Sequence, residues 1–145
     1  MLTARDIMTE DPICCTPETS LEDVAQMMVD TDCGGVPVTD SADSRTPIGM
    51  ITDRDIVCRA VAQGKDLRGM TAGECMSTPC MTVDADRSIE ECVSVLEGSL
   101  IRRVPVVDDD GQCCGIIAQA DIARFEKHQA GELLQQLSGG AATAV

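Results

Sequence analysis

The chain has 145 residues, of which 43% are hydrophobic, enough apolar material for one or two small folded domains. Its net charge of −14 and its lack of Tyr and Trp argue against nucleic-acid binding, and the charge also disfavours an anionic membrane surface. No apolar run approaches the about 20 residues that span a bilayer, and the first six residues carry no signal core, so we expect a cytoplasmic protein.

The first half of the chain predicts a strand, a helix, two strands and a second helix. A short amphipathic helix over residues 3–9 precedes this series. Ser20 and Asp23 form a capping-box pattern at the start of the first main helix, which ends at the Gly34-Gly35 pair. The remaining elements are predicted, in order, as a strand at Ile13-Cys14-Cys15, a short strand at Val36-Pro37-Val38 whose proline suits a strand edge or a strand start, a buried strand at Ile48–Ile51 and a helix from Thr52 to about Ala62.

The second half repeats these elements in the same order. Ser20 and Ser88, like Pro37 and Pro105, lie 68 positions apart (88 minus 20, 105 minus 37), and the blocks that begin at Gly49 and Gly115 lie 66 apart (115 minus 49). Three blocks kept in one order indicate a duplicated unit. Two such units of about 60 residues are marginal alone, so we expect one intertwined pair with a symmetric cleft between the copies.

The start of the helix after the buried strand carries the first candidate ligand-binding residues. The unpaired N–H groups of a helix N-terminus suit a phosphate, the Thr52 hydroxyl can donate to one, and Asp55 can accept from both hydroxyls of a ribose. Arg54 adds positive charge. Thr-x-x-Asp is also a plain capping box, and this copy alone favours that structural reading slightly.

The second copy keeps the aspartate and changes its surroundings. Ala118 replaces the threonine, and because Ala is a poor N-cap we do not expect a capping box to explain Asp121, although a helix-dipole interaction could. Arg102 and Arg103 stand where the first copy has Gly34 and Gly35. Arginines beside apolar strands are usually solvated, yet they also bind phosphate well.

Nine cysteines without a C-x-x-C motif most simply serve as small buried hydrophobes in a reduced protein. The only histidine is His128, and the spacing of Cys75 and Cys80 is poor for zinc. A thiol or metal sensor built on Cys14-Cys15 and Cys113-Cys114 remains the less favoured alternative.

These blocks resemble the CBS domain, and the pair resembles a Bateman module. The matching residues are G49-M50-I51-T52-D53-R54-D55-I56 and G115-I116-I117-A118-Q119-A120-D121-I122, each after a V-P-V strand, with openings at D6-I7-M8-T9 and E74-C75-M76-S77. The resemblance implies an α+β fold of two β-α-β-β-α units packed as a pseudo-twofold pair. We place the units at residues 5–62 and 72–127, with a linker at 63–71 and a tail at 128–145 that is helical and then disordered.

The resemblance also implies an adenosine-containing ligand: AMP, ATP, NAD or S-adenosylmethionine, with or without Mg²⁺, acting as a regulatory ligand and not as a required cofactor. Asp55 and Thr52 would serve one cleft and Asp121 the other, with Arg103 and Arg102 at phosphate. The adenine-binding residues would be Ile13, Cys14 and Val36 for one site, and Met81, Thr82 and Val104 for the other.

No catalytic set is visible in the sequence, so we expect a regulatory protein and not an enzyme. It would form a homodimer and act on an unknown protein effector. The main alternative is a dimeric scaffold that binds no ligand. It would be favoured if neither Asp55 nor Asp121 contacts a ligand.

Overall fold

The structure, a computed structural model, describes residues 1–99 and 101–144. Its helices and strands follow the predicted α+β order in both halves. The first half contains α1 (Ala4–Ile7), β1 (Thr9–Glu10), α2 (Leu21–Thr31), β2 (Gly35–Thr39), β3 (Pro47–Thr52) and α3 (Asp53–Ile56), which continues as a π-helical segment (Val57–Val61). The second half contains α4 (Ala72–Cys75), β4 (Val83–Asp84), α5 (Ile89–Ser99), β5 (Arg103–Val107), β6 (Cys113–Ala118) and α6 (Gln119–Ala144).

Each half builds its sheet around an antiparallel hairpin. In the first half β2 pairs with β3, and in the second half β5 pairs with β6. The second sheet is completed by β4 and β1, giving the order β1-β6-β5-β4. The first half has single bridges at the equivalent places, Cys15 with Val38 and Met50 with Ser77, so the two sheets share one plan.

The first helix of each half packs against the core of the other half: α1 packs against the second core and α4 against the first. The backbone N–H of Ala4 donates to Arg87 O at 2.8 Å, and Ala4 is buried in the second core. The N–H of Ala72 donates to Thr19 O at 2.8 Å, and Ala72 is buried in the first core. The expected intertwining is therefore an exchange of α1 and α4 between the halves.

Glycines in β3 and β6 permit this exchange. A Cβ on Gly49 would lie 2.8 Å from the Ser77 carbonyl oxygen and 3.2 Å from Met76 Sδ. A Cβ on Gly115 would lie 2.8 Å from Met8 Cγ. Side chains there would push away the segment that follows each exchanged helix.

Both cores are aliphatic. The first core is made of Cys15, Leu21, Val24, Val36, Val38, Ile51, Ala60, Met70, Ala72 and Cys75. The second core is made of Ala4, Val83, Ala85, Cys92, Leu96, Val104, Val106, Ile117 and Ile122. Cysteine therefore packs as a small hydrophobe at several of these positions, as the sequence predicts.

Some predicted elements differ from the structure. The strands expected at Ile13-Cys14-Cys15 and Met81-Thr82-Val83 are shorter, because only Cys15 forms a bridge and β4 begins at Val83. Ile13 and Met81 are 43% and 45% exposed, so they do not enter the sheets.

Pro105 lies in the strand between β6 and β4, and so neither at a sheet edge nor at the start of a strand, the two places that we expected for such a proline. The proline is tolerated because β4 pairs only with Val106 and Val107, so no neighbour on that side needs its missing N–H.

Helix α6 continues to Ala144, through the segment that we expected to be disordered. The high helix propensity of its alanines favours this continuation, in spite of the two glycines at 139–140. In the part of the chain that the structure describes, no helix is both long and apolar enough to cross a membrane.

Candidate functional site

Two clefts lie at the junction of the halves, and each draws residues from both. The first cleft is a cavity of about 430 Å³ and the second is a cavity of about 380 Å³. The first cleft is lined by Met50, Thr52, Asp53, Arg54, Asp55, Ser77, Pro79, Cys80, Met81, Ile101, Arg102 and Arg103. The lining of the second cleft includes Thr9, Ile13, Gly35, Pro37, Arg103, Ala118, Asp121 and Arg124.

Thr52 and Asp55 form a full capping box at the start of α3. The Thr52 Oγ1 accepts from the Asp55 N–H at 3.1 Å, and Asp55 Oδ2 accepts from the Thr52 N–H at 2.9 Å. The capping box that the sequence pattern allows is therefore formed. It leaves the Thr52 hydroxyl proton free to donate, and a carboxylate has further lone pairs, so both side chains can still bind a ligand.

Ser77, which the sequence analysis did not single out, fixes the second oxygen of Asp55. Its hydroxyl donates to Asp55 Oδ1 at 3.2 Å from the segment that follows the exchanged helix α4. Thr9 stands 68 positions earlier, and it lines the second cleft (77 minus 9). The repeat of Met-Thr and Met-Ser in the two opening motifs was the signal that could have identified them.

Asp121 is more constrained than Asp55. Asp121 is only 8% exposed. Its Oδ2 accepts from the Ala118 N–H at 2.8 Å, and its Oδ1 contacts the Arg124 guanidinium. Our argument that capping could not explain Asp121 is therefore wrong. This half of a capping box needs only the backbone N–H of residue 118, so losing the threonine hydroxyl does not remove it.

The arginines of the second copy lie between the clefts. Arg102 lines the first cleft, whereas Arg103 lines both. A Cβ on Gly35 would be 3.0 Å from Arg103 Cδ, and one on Gly34 would be 3.2 Å from its Nη2. The glycines of the first copy thus leave the space in which the arginine of the second copy lies.

An exposed apolar side chain faces the polar residues in each cleft. Ile13 lines the second cleft and Met81 lines the first, 68 positions apart in the chain (81 minus 13). Cys80 lies beside Met81, and burial raises the pKa of its thiol to about 11, so it is a neutral group there. The first cleft therefore joins apolar side chains to three arginines, two aspartates and two hydroxyl groups.

Four predicted site residues lie elsewhere. Val36 and Val104 are 1% and 0% exposed and belong to the two cores, whereas their neighbours Gly35 and Arg103 line the clefts. Side chains alternate between the faces of a strand, so the predicted residues were one position out of phase. Thr82 is absent from the linings given above, and Cys14 lines a third cavity.

Within 1–99 and 101–144, no group of three or more His, Cys, Asp or Glu side chains is arranged to hold an ion.

The chain is similar to proteins of known sequence over most of its length. Hypoxic response protein 1 of Mycobacterium tuberculosis is 41% identical over 124 residues, which are 86% of this chain and 85% of that protein. The CBS domain-containing protein YhcV of Bacillus subtilis is 32% identical over 141 residues, covering 95% and 96% of the two chains.

Solved structures agree with this fold, and their ligands differ. Hypoxic Response Protein I with two coordinated zinc ions superposes with a TM-score of 0.75, over 85% of this chain and 98% of that one, at 41% identity. CBSX2 in complex with AMP gives 0.76, with 90% and 99% covered at 26% identity. The CBS domain pair of MJ0100 with 5'-methylthioadenosine and S-adenosyl-L-methionine gives 0.79, with 89% and 98% covered at 26% identity.

The family model for the CBS domain matches residues 4–61 and again residues 72–128. The two matches account for most of the chain, and they coincide with the two halves whose sheets and clefts repeat. The chain therefore belongs to the CBS domain family and contains a tandem pair of CBS units.

Proposed function

We propose that this CBS pair is a regulatory module that binds an adenosine-containing ligand in the first cleft. The observation that carries the proposal is that Thr52, Asp55, Arg102 and Arg103 share one cavity with the exposed apolar side chain of Met81. A cavity of about 430 Å³ falls within the roughly 300–1,000 Å³ that is usual for small-molecule sites.

Each part of this cleft suits one part of such a ligand. Asp55 would accept hydrogen bonds from the ribose hydroxyls, and Ser77 holds its carboxylate in place. Thr52, Arg54, Arg102 and Arg103 would bind phosphate, or the charged groups of another adenosine derivative. Met81 and Ile101 would contact the base, since exposed apolar surface in a cavity gains from covering an aromatic ring.

The second cleft is the weaker candidate for the same ligand class. Ile13 and Asp121 would play the parts of Met81 and Asp55. There is no hydroxyl at Ala118, and the Arg124 guanidinium pairs with the Asp121 carboxylate, which makes that carboxylate a weaker acceptor for ribose hydroxyls. We expect the first cleft to bind more tightly.

The similar structures support this ligand class without naming the ligand. CBSX2 was solved with AMP and the MJ0100 pair with S-adenosyl-L-methionine, and adenosine is the part that these molecules share. The candidates for this chain remain AMP, ATP with or without Mg²⁺, NAD and S-adenosylmethionine. We propose that the bound chain forms a homodimer that regulates a separate effector in the cytoplasm.

The test is a thermal-shift panel of these ligands on reduced protein, followed by calorimetry on the ligand that binds. A ligand that binds only the folded state must raise the melting temperature. We expect Asp55→Ala to weaken binding by about 1–3 kcal/mol, because the ribose hydroxyls lose a charged acceptor.

The matched control is Asp6→Ala. Asp6 forms the same type of capping box with Thr3 at the start of α1, with 2.7 Å from the Thr3 N–H to Oδ2, and it lines neither cleft. This variant should lose cap stability while keeping full affinity. If no adenosine ligand shifts the melting temperature at millimolar concentration, the scaffold alternative replaces the proposal.

A further inference from the structure

A cluster outside both clefts brings together one cysteine from each half of the chain. Arg45 lies in the loop between β2 and β3 and contacts both cysteines. Its Nη2 lies 3.6 Å from Cys14 Sγ, and its backbone oxygen accepts from the Cys113 N–H at 2.8 Å. The sequence offered two adjacent pairs, Cys14-Cys15 and Cys113-Cys114, and the structure joins one member of each.

The two thiols differ in a way that suits sequential chemistry. The neighbouring Cys113 thiol, helped by the Arg45 charge, lowers the pKa of Cys14 to about 7 against the opposing effect of burial. The closeness of Cys14, together with burial, raises the pKa of Cys113, whose thiol donates to the Gly115 backbone oxygen at 3.5 Å. Near neutral pH, therefore, Cys14 is substantially a thiolate and Cys113 holds its proton.

Access also differs between the two. Cys14 and Arg45 line a cavity of about 570 Å³, whereas Cys113 is 4% exposed. A small oxidant that enters the cavity can therefore reach Cys14, whereas Cys113 is shielded from solvent.

The adjacent cysteines lack these properties. Cys15 is 3% exposed, and burial with the neighbouring Cys14 raises its pKa to about 12. Burial also raises the pKa of Cys114. Cys58 is exposed on the π-helical segment and serves as an internal reference in the labelling experiment.

We propose that Cys14 and Cys113 are a reactive and a resolving cysteine, and that hydrogen peroxide converts them to a disulfide that links the two halves of the chain. The Cys14 thiolate attacks one peroxide oxygen, the O–O bond breaks, and a sulfenic acid and hydroxide result; the hydroxide takes up a proton to become water. The Cys113 sulfur then attacks the sulfenic sulfur, the S–S bond forms, and a second water leaves with the Cys113 proton. Two thiols are oxidised and one peroxide is reduced to two waters.

The experiment uses the full chain, reduced and freed of metal with a chelator, then treated with equimolar hydrogen peroxide at low protein concentration. Remaining thiols are blocked, and tryptic peptides are mapped without reduction by mass spectrometry. Trypsin leaves Cys14 in the peptide 6–45 and Cys113 in the peptide 104–124. We expect these two peptides to be linked, with no covalent dimer.

Neighbouring cysteines supply the controls. Cys14→Ser and Cys113→Ser should abolish the link, whereas Cys15→Ala and Cys114→Ala should keep it. A link that survives Cys14→Ser, or disulfides that mainly join two chains through Cys58, would overturn the proposal. This inference needs no nucleotide, so it stands or falls separately from the proposed function.

A second measurement uses the wild-type protein, so the proposal stays testable even if a cysteine variant does not fold. Alkylation by limiting iodoacetamide should reach half its maximal rate near pH 7 at Cys14, and at that pH Cys14 should react faster than the exposed Cys58. Cys113→Ala should slow the reaction of Cys14 at pH 7, since the neighbouring thiol that lowers its pKa is lost. Faster alkylation of Cys58 than of Cys14 at pH 7 would contradict the proposed thiolate.

Discussion

Two glycines stand in the first repeat where two arginines stand in the second, and the structure gives a physical reason. Arg103 extends over Gly34 and Gly35, so close to the junction of the halves that it reaches both clefts. Arginine in both copies would place two guanidinium groups in one space. The unequal sequences at this position are thus the result of packing near the pseudo-twofold axis.

This placement separates the two arginines experimentally. Arg103→Ala should weaken binding of an adenosine phosphate in both clefts, because its guanidinium faces both, by about 1–3 kcal/mol for each lost charged hydrogen bond. Arg102→Ala should affect only the first cleft. Two-site calorimetry of both variants measures this, and equal effects of the two substitutions on the second cleft would contradict the assignment.

At single residues the sequence predicted the polar site better than the apolar one. Thr52, Asp55 and Arg102 line one cavity, as the sequence predicts, and their binding of a ligand stays a prediction. Thr52 and Asp55 lie where a strand ends and a helix starts, and Arg102 precedes the V-P-V strand. Val36 and Val104 lie in the cores instead, and although Gly35 and Pro37 give Val36 no visible phase, Arg103 beside Val104 marks the face that lines the clefts. Ile13 and Met81 line the clefts, although the strands expected around them are shorter.

At the scale of elements, the short helices α1 and α4 have more effect than their four residues suggest. Each fills the core of the other half, with Ala4 and Ala72 both fully buried. The amphipathic pattern of residues 3–9 predicted α1, whereas no helix was predicted at the position of α4. Their partners could not be predicted, because an alanine on one helical face fits either core equally well.

The exchange predicts which core opens when one of these helices is damaged. Ala4→Asp buries a carboxylate in the second core, so Cys92 should become open to alkylation under native conditions, at least about tenfold faster than in the wild type. Cys15 and Cys75, in the first core, should stay protected.

Ala72→Asp is the matched variant and should reverse this pattern. Thiol labelling with peptide mass spectrometry reads both variants, since all three cysteines are at most 3% exposed in the intact protein. Exposure of Cys75 before Cys92 in Ala4→Asp would show that α1 serves its own half.

For the whole molecule, the repeat in the sequence predicted the fold class and the pairing of two units. The linker between the two units is exposed at residues 63–66 and again at Arg68 and Gly69. Because the two halves exchange helices, we expect them to stay together when this linker is cut. Trypsin can cut there at Lys65 and Arg68 while both sheets stay intact.

We expect the nicked chain to keep its native size, because α1 and α4 hold each fragment to the other. Gel filtration should show one peak in buffer and two fragments in denaturant. Separation of the fragments in buffer would mean that the exchanged helices contribute little to association.

The exchange also bears on how the chain is made. A ribosome releases α1 well before β6, yet the helix must wait for that strand, with which the adjoining Thr9 and Glu10 pair. The first core likewise lacks Ala72 and Cys75 until synthesis is well into the second half. Unlike domains that fold in turn as they emerge, neither half can finish before the other has been translated, and the earliest residues are among the last to find their place.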